Sequence, residues 1–156
     1  MKRINKWLAM LLAVVMVLSF AACGGDKATD KTVDAAAMFQ ALLTDVTYTD
    51  NATELDSSMA GVLLGGELPD GTEAYLAAND SAYLRCAVFA CKDKDAAAAV
   101  KKLIQTYIDD SIDAKYNVDE VALLQNAKIH SMGNYVAVAV TSDTDNVNKV
   151  IDQYFA

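Results

Sequence analysis

Apolar positions recur along this chain in three rhythms, and each predicts a different kind of element. The first is unbroken: Trp7 to Ala22 is a run of 16 residues interrupted only by Ser19. The second alternates. "EAYLAAN" (73–79) and "YLRCAVFAC" (83–91) flank Asp80-Ser81-Ala82, and "AKIHSM" (127–132) and "YVAVAVT" (135–141) flank Gly133-Asn134. A period of two predicts strands, and the short polar connections predict two hairpins. The third rhythm is helical. "DAAAMFQALL" starts at Asp34, a good capping residue. "DAAAAVKKLIQTYIDD" carries the stripe Val100, Ile104, Tyr107 and Ile108, and the last helix carries Val147, Val150, Ile151, Tyr154 and Phe155.

Turn chemistry gives these strands a register. A three-residue connection sets Leu76 against Cys86 and Ala74 against Val88, so that Leu84, Cys86, Val88 and Ala90 share a buried face. The Gly133-Asn134 turn sets Ile129 against Val138, Ala127 against Val140 and Ser131 against Val136. Lys128, His130 and Met132 then lie on the opposite side with Ala139, Ala137 and Tyr135. "VTYT" (46–49) reads as a short strand and "LDSSMAGVLL" (55–64) as a short helix, while "GGELPDG" (65–71) is all turn signal. Hairpin and helix thus occur twice. The expected fold is α+β: a two-layer sandwich, its antiparallel sheet built from two hairpins (ββα-ββα), with helices packed on one face and an added N-terminal helix.

The first rhythm is an address. Lys2, Arg3 and Lys6 precede the apolar run, and no acidic residue occurs before Asp26. As a helix the run would span about 24 Å, short of the roughly 30 Å hydrocarbon core. This is the form of a secretory signal, with an uncleaved anchor as the competing reading. "SFAACGG" resembles a lipobox, in which the thiol of Cys23 is alkylated with diacylglycerol before the leader is cut. Phe20 stands where leucine is usual. The polar stretch 24–31, "GGDKATDK", then serves as a tether spanning about 16 Å. The chain divides into a signal peptide (1–22), a lipid-attachment cysteine with its tether (23–31) and one domain (32–156). The protein is expected at the extracytoplasmic face of the cell membrane, held by lipid.

Charge narrows the partners. The chain has 13 basic and 21 acidic residues; without the three basic residues of the leader, 10 against 21 leaves −11. Such a surface excludes nucleic acid, whose binding rests on neutralising phosphates. It also opposes lying flat on anionic lipid. A single domain is too small for a two-lobed solute-binding lipoprotein.

Candidate chemistry is sparse. His130, the only histidine, sits beside Lys128, and acid–base catalysis needs a second group that the pattern does not supply. It reads as a surface or partner-contact residue, with a functional role as the alternative. Cys86 and Cys91 are an odd number apart, so they point to opposite faces about 17 Å from one another, beyond disulfide reach. Asp109, Asp110, Asp113, Asp119 and Glu120 crowd one stretch. "DTDNVN" begins like a calcium loop but fails at Val147 and Asn148, so helix capping explains Asp143 and Asp145 better. No metal site, no cofactor and no catalytic residue is expected. Alternation does place Tyr75, Arg85, Phe89, His130 and Tyr135 on the sheet face away from the helices. Aromatics with an arginine are what interface cores favour. Alternatively, the N-terminal helix or the 50–71 segment packs there.

The lipobox, the tether, "AVFACKD" and "KYNVDEV…LLQNAKIHSMGNYVAVAVTSD" together resemble small Firmicutes lipoproteins carrying domain of unknown function 4358. The resemblance runs from about Asp34 to the end. Val118 departs from it, standing where proline commonly follows the tyrosine by two residues, and Arg85 stands where an acid is commoner. It implies a lipid-anchored envelope protein and supplies no activity. The expected function is a non-enzymatic interaction module contacting another envelope component; the alternative is a lipoprotein that binds a small ligand or metal ion. Replacing Cys23 by Ala should abolish lipid attachment. Mass spectrometry of the native product checks this, and a wild-type chain without lipid mass on that sulfur would contradict it.

Overall fold

The computed structural model describes residues 32–114 and 117–156, so the leader, Cys23 and the tether lie outside the described residues. In chain order the elements are α1 (Ala35–Asp45), β1 (Thr53–Leu55), α2 (Met59–Leu64), β2 (Glu73–Ala78), β3 (Leu84–Ala90), α3 (Lys94–Ala114), α4 (Val118–Asn126), β4 (Lys128–Met132), β5 (Tyr135–Ala139) and α5 (Thr144–Phe155). The five strands form one antiparallel sheet in the order β1-β2-β3-β5-β4. The protein is α+β.

Local signals start and stop these elements. Asp34 accepts a hydrogen bond from the Ala37 N–H at 3.0 Å, Asp93 from Ala96 at 2.7 Å and Asn117 from Asp119 at 2.9 Å. Each satisfies one of the unpaired donors of a helix N-terminus. No strand forms at 46–49. Tyr48 instead donates to the Leu42 carbonyl at 3.0 Å, Asp143 accepts the Thr47 N–H at 2.9 Å, and the short edge strand comes later at β1.

The second hairpin has the register its turn chemistry dictates. Ile129 pairs with Val138, Ser131 with Val136, His130 with Ala137 and Met132 with Tyr135. The first hairpin starts as the sequence suggests and then departs. Ala78 pairs with Leu84, but the next pair is Ala77 with Cys86, so Arg85 is an extra residue in β3. This is a β-bulge, and one extra residue moves every later side chain to the other face. Leu76 therefore meets Ala87 rather than Cys86, and Ala74 meets Phe89 rather than Val88.

Both faces of the sheet are covered, which corrects the two-layer expectation with helices on one face. Met38, Phe39 and Leu42 of α1 and Val147, Val150 and Ile151 of α5 pack on Ala77, Cys86, Val88, Ala137 and Ala139. These sheet residues are small, so the helices come close. On the other face Val100, Ile104 and Ile108 of α3, Leu64 of α2 and Leu124 of α4 pack on Leu76, Phe89, Val136 and Val138. The reason lies in the central strands. Every residue from Leu84 to Phe89 and from Val136 to Ala139 is buried. A strand that is apolar on both sides needs a layer over each.

Phe89 is accordingly a core residue with no measurable exposure. Phe89→Ala should cost about 3–5 kcal/mol in denaturant unfolding, through lost transfer energy and a residual cavity. The half-buried Tyr135 should cost less when truncated. An unfolding midpoint unchanged by Phe89→Ala would contradict the assignment.

Candidate functional site

Arg85 is the only charged side chain within β3 and β5, and it is 1% exposed. The bulge turns it to the α3–α4 side. Its Nε donates to Asp50 Oδ1 at 2.6 Å and its Nη2 to Asp50 Oδ2 at 2.9 Å. Its Nη1 and Nη2 donate to the two carboxylate oxygens of Glu120, each at 2.8 Å, and Nη1 also reaches the Leu84 carbonyl at 3.2 Å. The planar guanidinium thus serves two carboxylates at once, which its fork of five donors allows and an ammonium would not. The backbone of the bulge is satisfied as well. The Leu84 N–H donates to the Tyr107 hydroxyl at 3.0 Å, and the Arg85 carbonyl accepts the Val140 N–H at 2.7 Å.

Burial works against a charged guanidinium, yet the bonds to Asp50 and Glu120 outweigh it and hold Arg85 above its ordinary range. The Arg85 hydrogen bond is the main influence lowering Asp50, whose carboxyl sits at about 2. The two carboxylates are not equivalent. The Glu120 side chain is 8% exposed and that of Asp50 40%. Glu120 lies in the first turn of α4, so the pair fastens this nine-residue helix over the bulged end of β3. The cluster is a fastening rather than a reactive centre, since all of its charges are engaged with one another.

The surface that α4 presents is different in character. Val118, at its start, is 84% exposed, the most exposed large apolar residue described. It lines a cleft of about 250 Å³ with Ile112, Val121 and Gln125. Ile112 and Gln125 also line a neighbouring cleft of about 360 Å³, whose walls include Lys101, Asp109, Leu124 and Ile129. Together they make a groove between α3 and α4 that runs from Val118 to β4, the edge of the sheet. The Val118 end is mainly apolar, whereas Lys101, Gln105, Asp109 and Gln125 make the β4 end more polar.

The five residues expected on one bare face do not share one. Tyr75, His130 and Tyr135 lie on the α1–α5 side, whereas Phe89 and Arg85 are buried on the α3–α4 side. The Tyr75 ring centroid is 6.1 Å from that of Phe39 on α1, so this tyrosine joins the core instead of waiting for a partner. His130 is half-buried on the edge strand, with an Nε2 atom that has no hydrogen-bond partner among the described residues. Burial, then Lys128, lowers its pKa, and Asp152 opposes them. A third cleft, about 410 Å³, lies at the opposite end of the sheet between Ser57, Thr72 and Tyr75.

Cys86 and Cys91 are both free and buried, on opposite faces as their odd spacing requires. Burial pushes the Cys86 thiol up to about 12. Asp143 Oδ2 accepts from both the Thr47 N–H and the Asn146 side-chain amide, each at 2.9 Å. Among the described residues, no group of three or more His, Cys, Asp or Glu is placed to hold a metal ion. None of their helices is long and apolar enough to cross a membrane. Asp50 and Glu120 were not legible as partners of Arg85. The available signal was the arginine itself, since a charge inside an apolar strand demands buried carboxylates.

Arg85→Met leaves Glu120 buried without a counter-ion and should cost about 3–5 kcal/mol; adding Glu120→Leu should recover most of it. Asp50→Asn should cost less, because its side chain already meets water. The depressed Asp50 carboxyl stabilises fully above its ordinary 3.8, and that contribution is lost as pH falls toward about 2. Denaturant titrations at pH 7 and through this acid window check both. Equal stability of the single and double variants would contradict the pairing.

Residues 69–141 match a family model described as Domain of unknown function (DUF4358). No curated protein and no solved structure matches the chain. The matched span holds both hairpins and the two helices between them, that is, β2 to β5 with the Arg85 bulge, Glu120 and the groove, while α1 and α5 flank it. Four of the five strands, Arg85, Glu120 and the groove thus lie in the segment that is similar to this family model, while β1 and Asp50 lie before it.

Proposed function

We propose that this protein is a lipid-anchored, extracytoplasmic, non-enzymatic module that binds another component of the cell envelope through the α3–α4 groove. The observation that carries this reading is the groove itself. It begins as an apolar cleft at the exposed Val118 and continues into a more polar one toward β4, on a domain whose sheet faces are both covered. Exposed apolar surface with a polar rim is the usual form of a docking site. Location is supported by the leader, by Cys23 after "SFAA" and by the short tether of 24–31. Those features set the domain close to the bilayer while its net −11 holds it off anionic headgroups.

The contact surface therefore differs from the five residues that alternation alone would place together. Tyr135 and His130 remain half-exposed at the β4–β5 end, but Phe89 and Arg85 are interior and Tyr75 packs on Phe39.

Val118→Asp with Val121→Asp should leave the unfolding midpoint nearly unchanged, because Val118 is exposed and Val121 partly so. The same pair should abolish cross-linking to a defined envelope protein in intact membranes. An identical cross-linked product from wild type and variant would contradict the reading.

A further inference from the structure

The sheet has two edges, and they are not alike. β1 is three residues long, and its Glu54 is within hydrogen-bond reach of Gln40 on α1. β4 is five residues long and is joined to β5 by Gly133-Asn134, with Gly133 at φ 58°. A two-residue turn with positive φ at its first central residue has a hydrogen-bonded closing pair, here Met132 and Tyr135. Hydrogen-bonded and non-hydrogen-bonded pairs alternate along an antiparallel ladder. His130–Ala137 and Lys128–Ala139 are therefore the bonded pairs. The N–H and C=O groups of Ile129 and Ser131 point away from β5, toward the open side of the sheet.

Side chains along that edge sort by face. Ile129 lines the α3–α4 groove, beside Leu124 and Lys101. Lys128 and His130 occupy the other face, where Asp152 of α5 acts on His130, and β4 itself carries no carboxylate. We propose that β4 is a strand-addition site for an extended segment of a partner protein, with apolar side chains toward the groove and carboxylates toward Lys128. Main-chain bonds to Ile129 and Ser131 supply affinity, and the alternating side chains supply selection. A second copy of this chain fits poorly. Its β4 would bring another Lys128 and His130 with no carboxylate, between two domains that each carry net −11.

The inference rests on the interaction-module reading but is measured on different atoms. The full chain, in a mild detergent, is mixed with a blocked seven-residue peptide of alternating valine and aspartate, and amide hydrogen exchange is followed by NMR. At ten times its Kd the peptide should slow exchange at Ile129 and Ser131 about tenfold. A valine–lysine peptide should leave both amides unchanged. Ser131→Pro removes an outward N–H without removing a bond to β5, and should abolish the protection. Should that variant misfold, Lys128→Glu decides instead, by transferring the protection to the lysine peptide. Unchanged exchange with the aspartate peptide, or equal protection by both, would overturn the inference. So would protection in the free chain that grows with protein concentration, which would make the occupant a second copy. Loss of membrane cross-linking in the Val118 variant alongside unprotected β4 amides would defeat strand addition alone.

Discussion

At the mouth of the first hairpin, Leu84 and Arg85 together stand opposite Ala78, and this single surplus residue decides what meets what in the sheet. Beyond it Cys86 and Val88 turn toward α1 and α5, while Ala87 and Phe89 turn toward α3. The bulge also aims a guanidinium into the interior. A buried arginine without partners would cost several kcal/mol, so the fold must bring carboxylates to it. Asp50 arrives from the loop after α1 and Glu120 from the first turn of α4. Two segments far apart in sequence are thereby fixed relative to β3. A hydrophobic replacement of the whole cluster could be as stable, so the cluster's contribution is better understood as placement of α4 than as net stabilisation.

Covering follows from that placement. With β3 apolar on both sides, α1 and α5 close one face and α2, α3 and α4 the other. Little of the sheet's own surface remains for a partner. Besides the cleft at Thr72 and Tyr75, there remain the outside of α4, the groove beneath it and the edge at β4, these three adjacent. The net −11 of the domain disfavours self-association.

Much of this was legible in the sequence where one physical signal dominates. The Gly133-Asn134 turn pins its hairpin, because only one register buries Val136 and Val138 together. The stripes of α3 and α5 fall where their spacing puts them, and the odd separation of the two late cysteines places them on opposite sides. The misassigned faces have one source. Nothing in "NDSAYLRC" marks an extra residue, since Ala82 takes up the left-handed turn at φ 61° where glycine would have given notice. Without the bulge, alternation puts Tyr75 and Phe89 on one face, whereas the register separates them. The clue that β3 beyond Arg85, and β5 from Val136, lack polar residues on either side pointed to two covering layers, but it competed with the visible alternation of large and small side chains. The groove was beyond reach because it depends on how α4 returns over α3.

The central claim, that the sheet is sealed on both sides around the Arg85 bulge, is tested most directly by the two thiols. Cys86 lies beneath α1 and α5, and Cys91 packs with the α3 layer. Alkylation resolved by mass spectrometry in native buffer should label neither faster than the protein unfolds, and denaturant should release both together. Labelling of Cys86 or Cys91 in the native state at the rate of an open cysteine would show a bare face and contradict the account.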